Sequence, residues 1–269
     1  MRASFDNILD YYAQIHTPFL HGAGLAGTMQ LLETADLQGG EQLFELGCGT
    51  GASLVFLAHN FPQLQLHGGD ISLTMLSKAK KRIGFSGLGK RIRLYQLQTG
   101  QALPFPDEQF DVLWIESVLA FQDQAILGTL LTELHRILKH GGKLLINETL
   151  WLASTKLEER QRINNYCQEH FGMIQARAVQ GTVDDWIRLL EEHGFEQKSC
   201  APLQNSEDQG RWAKNMGSTL FDYVGKLKRA LHPRFRKDNS YVQQLEAAVF
   251  PKGEQVMQAY TLHLQKNQS

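Results

Sequence analysis

Residues 44–52 read Phe-Glu-Leu-Gly-Cys-Gly-Thr-Gly-Ala, three glycines on alternate positions directly after a short apolar run. A strand entering a turn without Cβ atoms, followed by a helix, leaves free backbone N–H groups at the helix start, where a ligand can seat. Such a turn works only if the strand is held from both sides. The downstream sequence supplies what that requires. "EQLFEL" leads into the turn and "ASLVFLAHNF" leaves it as a helix. "LQLHGGD", "RIRLYQL", "FDVLWIES" and "KLLINETL" are further apolar runs of strand length, separated by the helical patterns "LTMLSKAKKRI" and "QAILGTLLTELHRILKH", the latter expected to close at Gly141 and Gly142. Strands alternating with helices imply right-handed crossovers and a mostly parallel sheet.

The flanking regions follow different patterns. Residues 5–36 read as helices broken at "HTPFLHGAG". After residue 152 come the helical "TKLEERQRINNYCQEHF" and "TVDDWIRLLEEHGF", a sixth strand at "EQKSCAPL", a polar, Lys- and Arg-rich helical stretch and a final strand in "EQVMQAYTLHLQK". The expected organisation is N-terminal cap helices over 1–37 and a cofactor-binding α/β core over 38–152. Residues 153–269 then complete the core with its last two strands and carry a helical cap insertion around 204–250.

Two ligand classes fit the turn. Gly47-Cys48-Gly49-Thr50-Gly51-Ala52 also satisfies the GxGxxA fingerprint of dinucleotide sites. In either case a carboxylate at the end of the next strand would serve a ribose, and Asp70 stands nineteen residues after Gly51. Glu45 separates the classes. A carboxylate beside the first glycine opposes a pyrophosphate, by roughly 4 kcal/mol for unit charges at about 4 Å and an effective dielectric near 20. It welcomes a nucleoside carrying an ammonium and a sulfonium and no phosphate, as S-adenosylmethionine does.

In order and spacing, "LFELGCGTG", "GGDIS", "LPFPDEQFDVLW" and "RILKHGGKLLI" resemble the motifs of class I S-adenosylmethionine-dependent methyltransferases. The likeness runs from about residue 40 to 150. It implies a Rossmann-like α/β fold, with a seven-stranded mostly parallel sheet, the last strand antiparallel, helices on both faces and a helical cap. It also implies a cofactor site. Gly47, Cys48, Gly49 and Gly51 would let the backbone approach the methionine moiety, and Glu45 would order the turn and the ammonium group. Asp70 would accept the ribose hydroxyls, with Ile71 against adenine and Met75 in the helix behind it. Many relatives place an acidic residue after the third strand; here Thr99 stands there, followed by Gly100, whose N–H would serve a ring nitrogen.

"DVLWIESVLAFQD" is similar to the strand-four segment of small-molecule methyltransferases acting on sterols, tocopherols, prenyl diphosphates and glycosylated natural products. Glu116 and Ser117 match, so Glu116 is expected to face the methyl donor or the acceptor. Several relatives then carry histidines where this chain has Leu119 and Ala120. The sulfonium is already an excellent leaving group, and alignment with exclusion of water supplies roughly 7–11 kcal/mol of such a barrier. A base is needed only when the nucleophile must lose a proton. The candidates for that task are Glu116, His21, Glu148 and Tyr12.

Composition narrows the class further. Net charge is −1, and three cysteines without paired spacing argue against a zinc site or disulfide framework, so no metal is expected. No signal-like segment or long apolar run is visible, which points to the cytoplasm. Residues 226–237 hold six Lys or Arg in twelve positions, a solvated helix face or a weak membrane-surface contact. No nucleic-acid partner is expected. The reading is methyl transfer from S-adenosylmethionine to a small, apolar or amphipathic acceptor. The alternatives are a macromolecular (RNA) methyltransferase, a catalytically silent S-adenosylmethionine-binding protein and a nicotinamide enzyme.

Overall fold

The computed structural model describes residues 7–21, 24–203, 230–249 and 255–267. Elements run in chain order: α1 (Ile8–Gln14), α2 (Gly24–Ala35), β1 (Gln42–Leu46), α3 (Ala52–Asn60), β2 (Gln65–Asp70), α4 (Leu73–Phe85), β3 (Ile92–Gln96) and β4 (Phe110–Glu116). They continue with α5 (Gln124–Ile137), β5 (Leu138–Trp151), α6 (Leu157–Phe171), α7 (Val183–Glu192), β6 (Phe195–Pro202), α8 (Pro233–Val249) and β7 (Met257–Lys266). The basic stretch and cap insertion lie largely outside the described residues, which resume at Ala230.

One seven-stranded sheet has the order β3-β2-β1-β4-β5-β7-β6. The first five strands pair in parallel, and β7 enters antiparallel between β5 and β6. The expected Rossmann-like architecture is realised. Leu43, Phe44, Leu113 and Trp114, adjacent in β1 and β4, are all fully buried. The strands read as near-continuous apolar runs because helices cover both faces. One layer gathers Leu43, Trp114 and Leu145 with α2, α3 and α4. The other gathers Phe44, Leu113 and Ile115 with α1, α5, α6, α7 and α8. The strand order reverses between β1 and β4, and ligands in open α/β sheets bind beyond the strand ends at such a point.

One local expectation is corrected. Helix α5 does not run to His140 with glycines closing it; it ends at Ile137, and Leu138 is already extended. Leu138 is captured by pairing with Phe110 and is fully buried. The β4–β5 register then shifts between Phe110 and Val112, and Gly142 sits where a Cβ would lie 2.6 Å from Leu138 Cδ1. Helix α2 packs across β5 and β7.

A buried cation links the N-terminal segment to the glycine turn. Arg82 of α4 is fully buried. Its Nε donates to Thr50 O at 3.0 Å and its Nη2 to His16 O at 3.3 Å. Thr50 Oγ1 donates to Thr17 O at 3.1 Å. Residues 16–17 are thereby strapped against the turn.

Candidate functional site

The glycine turn joins β1 to α3 and is docked on the end of β2. Gly47 N and Cys48 N both donate to Gly69 O, at 2.7 and 3.0 Å, and Gly51 N donates to Cys48 O at 2.8 Å. Gly47 has φ +70°, and a Cβ there would strike Val118 Cγ2 at 2.3 Å. Gly49 has φ +50°, and a Cβ there would meet only Gly47 O, at 4.0 Å. Steric crowding therefore excludes a side chain at Gly47, whereas the backbone of Gly49 faces open space where a ligand can approach. Cys48 is a buried packing residue: a Cβ on Gly68 would lie 3.1 Å from its Sγ. Burial, with Glu45 and Asp70 nearby, pushes its thiol well up, so it is held protonated and unreactive.

Asp70 ends β2 and binds backbone on both sides. Its Oδ2 accepts from Gly49 N and its Oδ1 from Ser72 N, each at 2.8 Å. The N-cap of α4 is Ser72, which accepts from Met75 N. Burial raises the Asp70 pKa, while the N–H groups of Ser72, Gly49 and Ile71 pull it back. Beside it Ile71 is 60% exposed and Met75 is buried in the first turn of α4. Thr99 and Gly100 are exposed in the loop after β3, two residues beyond Leu97, whose N–H donates to Asp70 O.

Glu45 and Glu116 form the electrostatic centre. Glu45 is 4% exposed, and its Oε2 is buried without a hydrogen-bond partner. Burial raises its pKa well above the usual range, and Glu116 and Asp70 add to the shift; the Ser53 hydroxyl opposes it. Glu116 is as deeply buried but richly bonded. Its Oε2 accepts from Ser53 Oγ and Trp114 Nε1, both at 2.8 Å, and its Oε1 from Thr28 Oγ1 at 3.0 Å and Asn147 Nδ2 at 3.2 Å. His21 Nε2 lies 3.4 Å from the same Oε1 and 3.1 Å from Thr28 Oγ1.

The structure thus brings Glu116 and His21 together and shows how each is held. Asn147 Nδ2 also lies 3.1 Å from His21 Nδ1. In this amide orientation Nδ1 accepts, so the ring hydrogen is assigned to Nε2, facing Thr28 and Glu116. Both ring nitrogens are turned into the buried network. Glu148 is also buried, with its Oε1 accepting from Val118 N and Leu119 N at 2.7 Å each. Burial lifts its pKa from 4.5 to about 7, against the pull of those amides. Leu119 and Ala120 are packed into the core. Tyr12 is half-buried on α1, its ring 5.6 Å from that of Tyr11.

Ser53, Thr28, Asn147 and Arg82 were not singled out in the sequence. Signals existed for two of them. Asn147 is a polar residue inside the apolar run of β5, directly opposite Glu116 in register. In α4, Met75, Ala79, Arg82 and Ile83 follow the i, i+4, i+7, i+8 spacing of a buried face, which puts an arginine among core positions.

Residues 43–142 match the family model described as "Methyltransferase domain". The chain is 30% identical over 184 residues to the uncharacterized methyltransferase YodH of Bacillus subtilis, covering 68% of this chain and 72% of YodH. It is 27% identical over 175 residues to the methyltransferase GfsG of Streptomyces halstedii, covering 65% of this chain but 59% of GfsG. Among solved structures, the geranyl diphosphate C-methyltransferase of Streptomyces coelicolor, in complex with Mg2+, geranyl diphosphate and S-adenosyl-L-homocysteine, shares the fold. It superposes with a TM-score of 0.60 at 14% identity, over 90% of this chain and 78% of that one.

Proposed function

The chain belongs to the class I S-adenosylmethionine-dependent methyltransferases, and from that premise we propose that it methylates a small organic acceptor held between the strand ends and the N-terminal segment. The observation that carries this reading is the buried, partnerless Oε2 of Glu45 beside the glycine turn. A buried carboxylate oxygen without a donor costs on the order of 1–3 kcal/mol or more. An ammonium would remove that cost, and a pyrophosphate would add to it. The residues present therefore fit the cofactor.

S-adenosylmethionine, when bound, supplies a methyl group on a sulfonium that needs no further activation. The remaining tasks belong to this chain. Gly47 and Gly49 would give the backbone its close approach, Glu45 would receive the ammonium, and Asp70 would offer its remaining lone pairs to the ribose. Ile71, Met75, Thr99 and Gly100 would hold the adenine. Glu116 spends its oxygens on Ser53, Trp114, Thr28, Asn147 and His21, and so acts by holding the strand end and the segment around His21 in place. Among the described residues, the chain contributes alignment and exclusion of water rather than a base poised on the acceptor. Such a site suits a nucleophile that attacks without losing a proton first.

Acceptor class follows from the relatives more than from the walls. Of the aromatic residues that would give the acceptor an apolar wall, Tyr11, Trp151, Phe171 and Trp186 are packed into the core, Tyr12 and Phe19 are half-buried, and Trp212 and Phe221 lie outside the described residues. A small acceptor is in keeping with a fold shared with an enzyme crystallised with geranyl diphosphate. Two assays test the reading. S-adenosylhomocysteine at 100 times its dissociation constant should stabilise the fold by about 2.7 kcal/mol, and NAD should not. Radiolabelled S-adenosylmethionine should then label small molecules from an extract and leave RNA and protein unlabelled. Stabilisation by NAD alone, or label confined to macromolecules, would overturn the proposal.

A further inference from the structure

Ser53 stands between two buried carboxyl groups and has one hydroxyl hydrogen to offer. Its Oγ donates that hydrogen to Glu116 Oε2 at 2.8 Å, so it is not available to Glu45. An ionised Glu45 would keep a buried oxygen, Oε2, with no donor. A protonated Glu45 leaves no unpaired charge there. The alternative, protonating Glu116 instead, disrupts a carboxylate that already accepts from Thr28, Trp114 and Asn147. We infer that Glu45 and Glu116 carry one negative charge between them across Ser53, the proton residing on Glu45, and that binding of the cofactor's ammonium group expels this proton to solvent.

The charged surroundings favour this arrangement. Glu45 is faced by Glu116 from β4, by Asp70 from β2 and by the Cys48 thiol in the turn. His21, from the N-terminal segment, lies on Glu116. Arg82 of α4 directs its Nε and Nη2 to the backbone oxygens of Thr50 and His16. The groups acting on Glu45 are thus acidic, and burial and like charge both oppose its ionisation until a cation arrives. The proton balance is simple: a carboxylic acid and a cationic ligand become a carboxylate–ammonium pair, and one proton passes to the buffer. Ser53 is a positioning residue in this scheme, since it donates to the Glu116 carboxylate without touching the reacting methyl.

The inference rests on the cofactor reading above, and its test separates the two. Calorimetry of S-adenosylhomocysteine binding near neutral pH, in buffers of different ionisation enthalpy, should show about one proton released per ligand. Affinity should weaken by up to about tenfold per unit as pH falls from about 8 to about 6. Binding with no proton release and no pH dependence overturns the inference and leaves the cofactor reading standing; no binding at all overturns the cofactor reading. The Glu45→Gln variant should bind more weakly with no proton release. Release that persists there belongs to another group and refutes the assignment. Should that variant not fold, infrared difference spectra of the wild-type protein decide. The C=O stretch of a protonated carboxyl should vanish on addition of S-adenosylhomocysteine, and an unchanged spectrum in that region refutes the proposal.

Discussion

Glu148 never meets solvent, yet its proton should be visible in how the protein unfolds. Burial raises its pKa from 4.5 to about 7. The folded state therefore holds this proton where the unfolded chain has lost it. Its contribution is fully present below about pH 4.5 and declines as pH rises through about 7, by about 3 kcal/mol in all. Glu148→Gln accepts the same two amides without titrating, so urea titrations from about pH 5 to pH 8 should give a flatter stability profile than wild type. Arg82 makes a second test. Arg82→Met keeps the apolar stem but leaves Thr50 O and His16 O without the donors Arg82 gives them. We expect a loss of about 1–3 kcal/mol in denaturant stability. S-adenosylhomocysteine affinity should fall with it, because the strap over the glycine turn loosens. Asp70, Glu45 and Glu116 were readable as candidates because acids at strand ends in an apolar setting have few other uses. Their partners were harder to find. Ser53 and Thr28 are ordinary helix residues until folding brings α2 and α3 to the end of β4.

At the scale of elements, α7 shows what local chemistry alone can do. Thr182 Oγ1 accepts from Asp185 N and Asp185 Oδ2 accepts from Thr182 N, a complete capping box, and "TVDDWIRLLEEHGF" announced that helix at once. The helix packs on β6 at the sheet edge, away from the β1–β4 switch point. Thr182→Ala should therefore cost about 1 kcal/mol of stability while leaving S-adenosylhomocysteine affinity unchanged, which paired denaturation and calorimetry would show. Helix α5 is the opposite case. Its periodic pattern continues past Ile137, but pairing of Leu138 with Phe110 ends it early. The glycines that look like a helix stop accommodate a bulge at the start of β5. Propensity lost there to a partner 28 positions earlier in the chain, which no local pattern reports.

For the whole molecule, the decisive feature is that the last strand is an interior one. Strand β7 pairs with β5 from Lys143↔Gln265 to Trp151↔Met257 and with β6 along its other edge. Removing residues 256–269 would open two ladders and take away the buried Leu262 and Leu264, leaving the edges of β5 and β6 and the core around Leu144 and Ile146 uncovered. Such a truncation should be insoluble or lack a cooperative unfolding transition, even though every glycine-turn residue remains. The order of strands and helices, the doubly covered sheet and the glycine turn with its acidic neighbour all follow from local pattern, because alternation, turn conformation and charge act over a few residues. What the chain does with its carboxylates was settled elsewhere. Parallel pairing set Asn147 beside Glu116, the crossover helix α3 delivered Ser53, α2 delivered Thr28, and the N-terminal segment folded back to bring His21. Those contacts join residues 31 to 126 positions apart. Burial and shared hydrogen bonds exist only once the layers close, so the protonation of the site belongs to the tertiary structure.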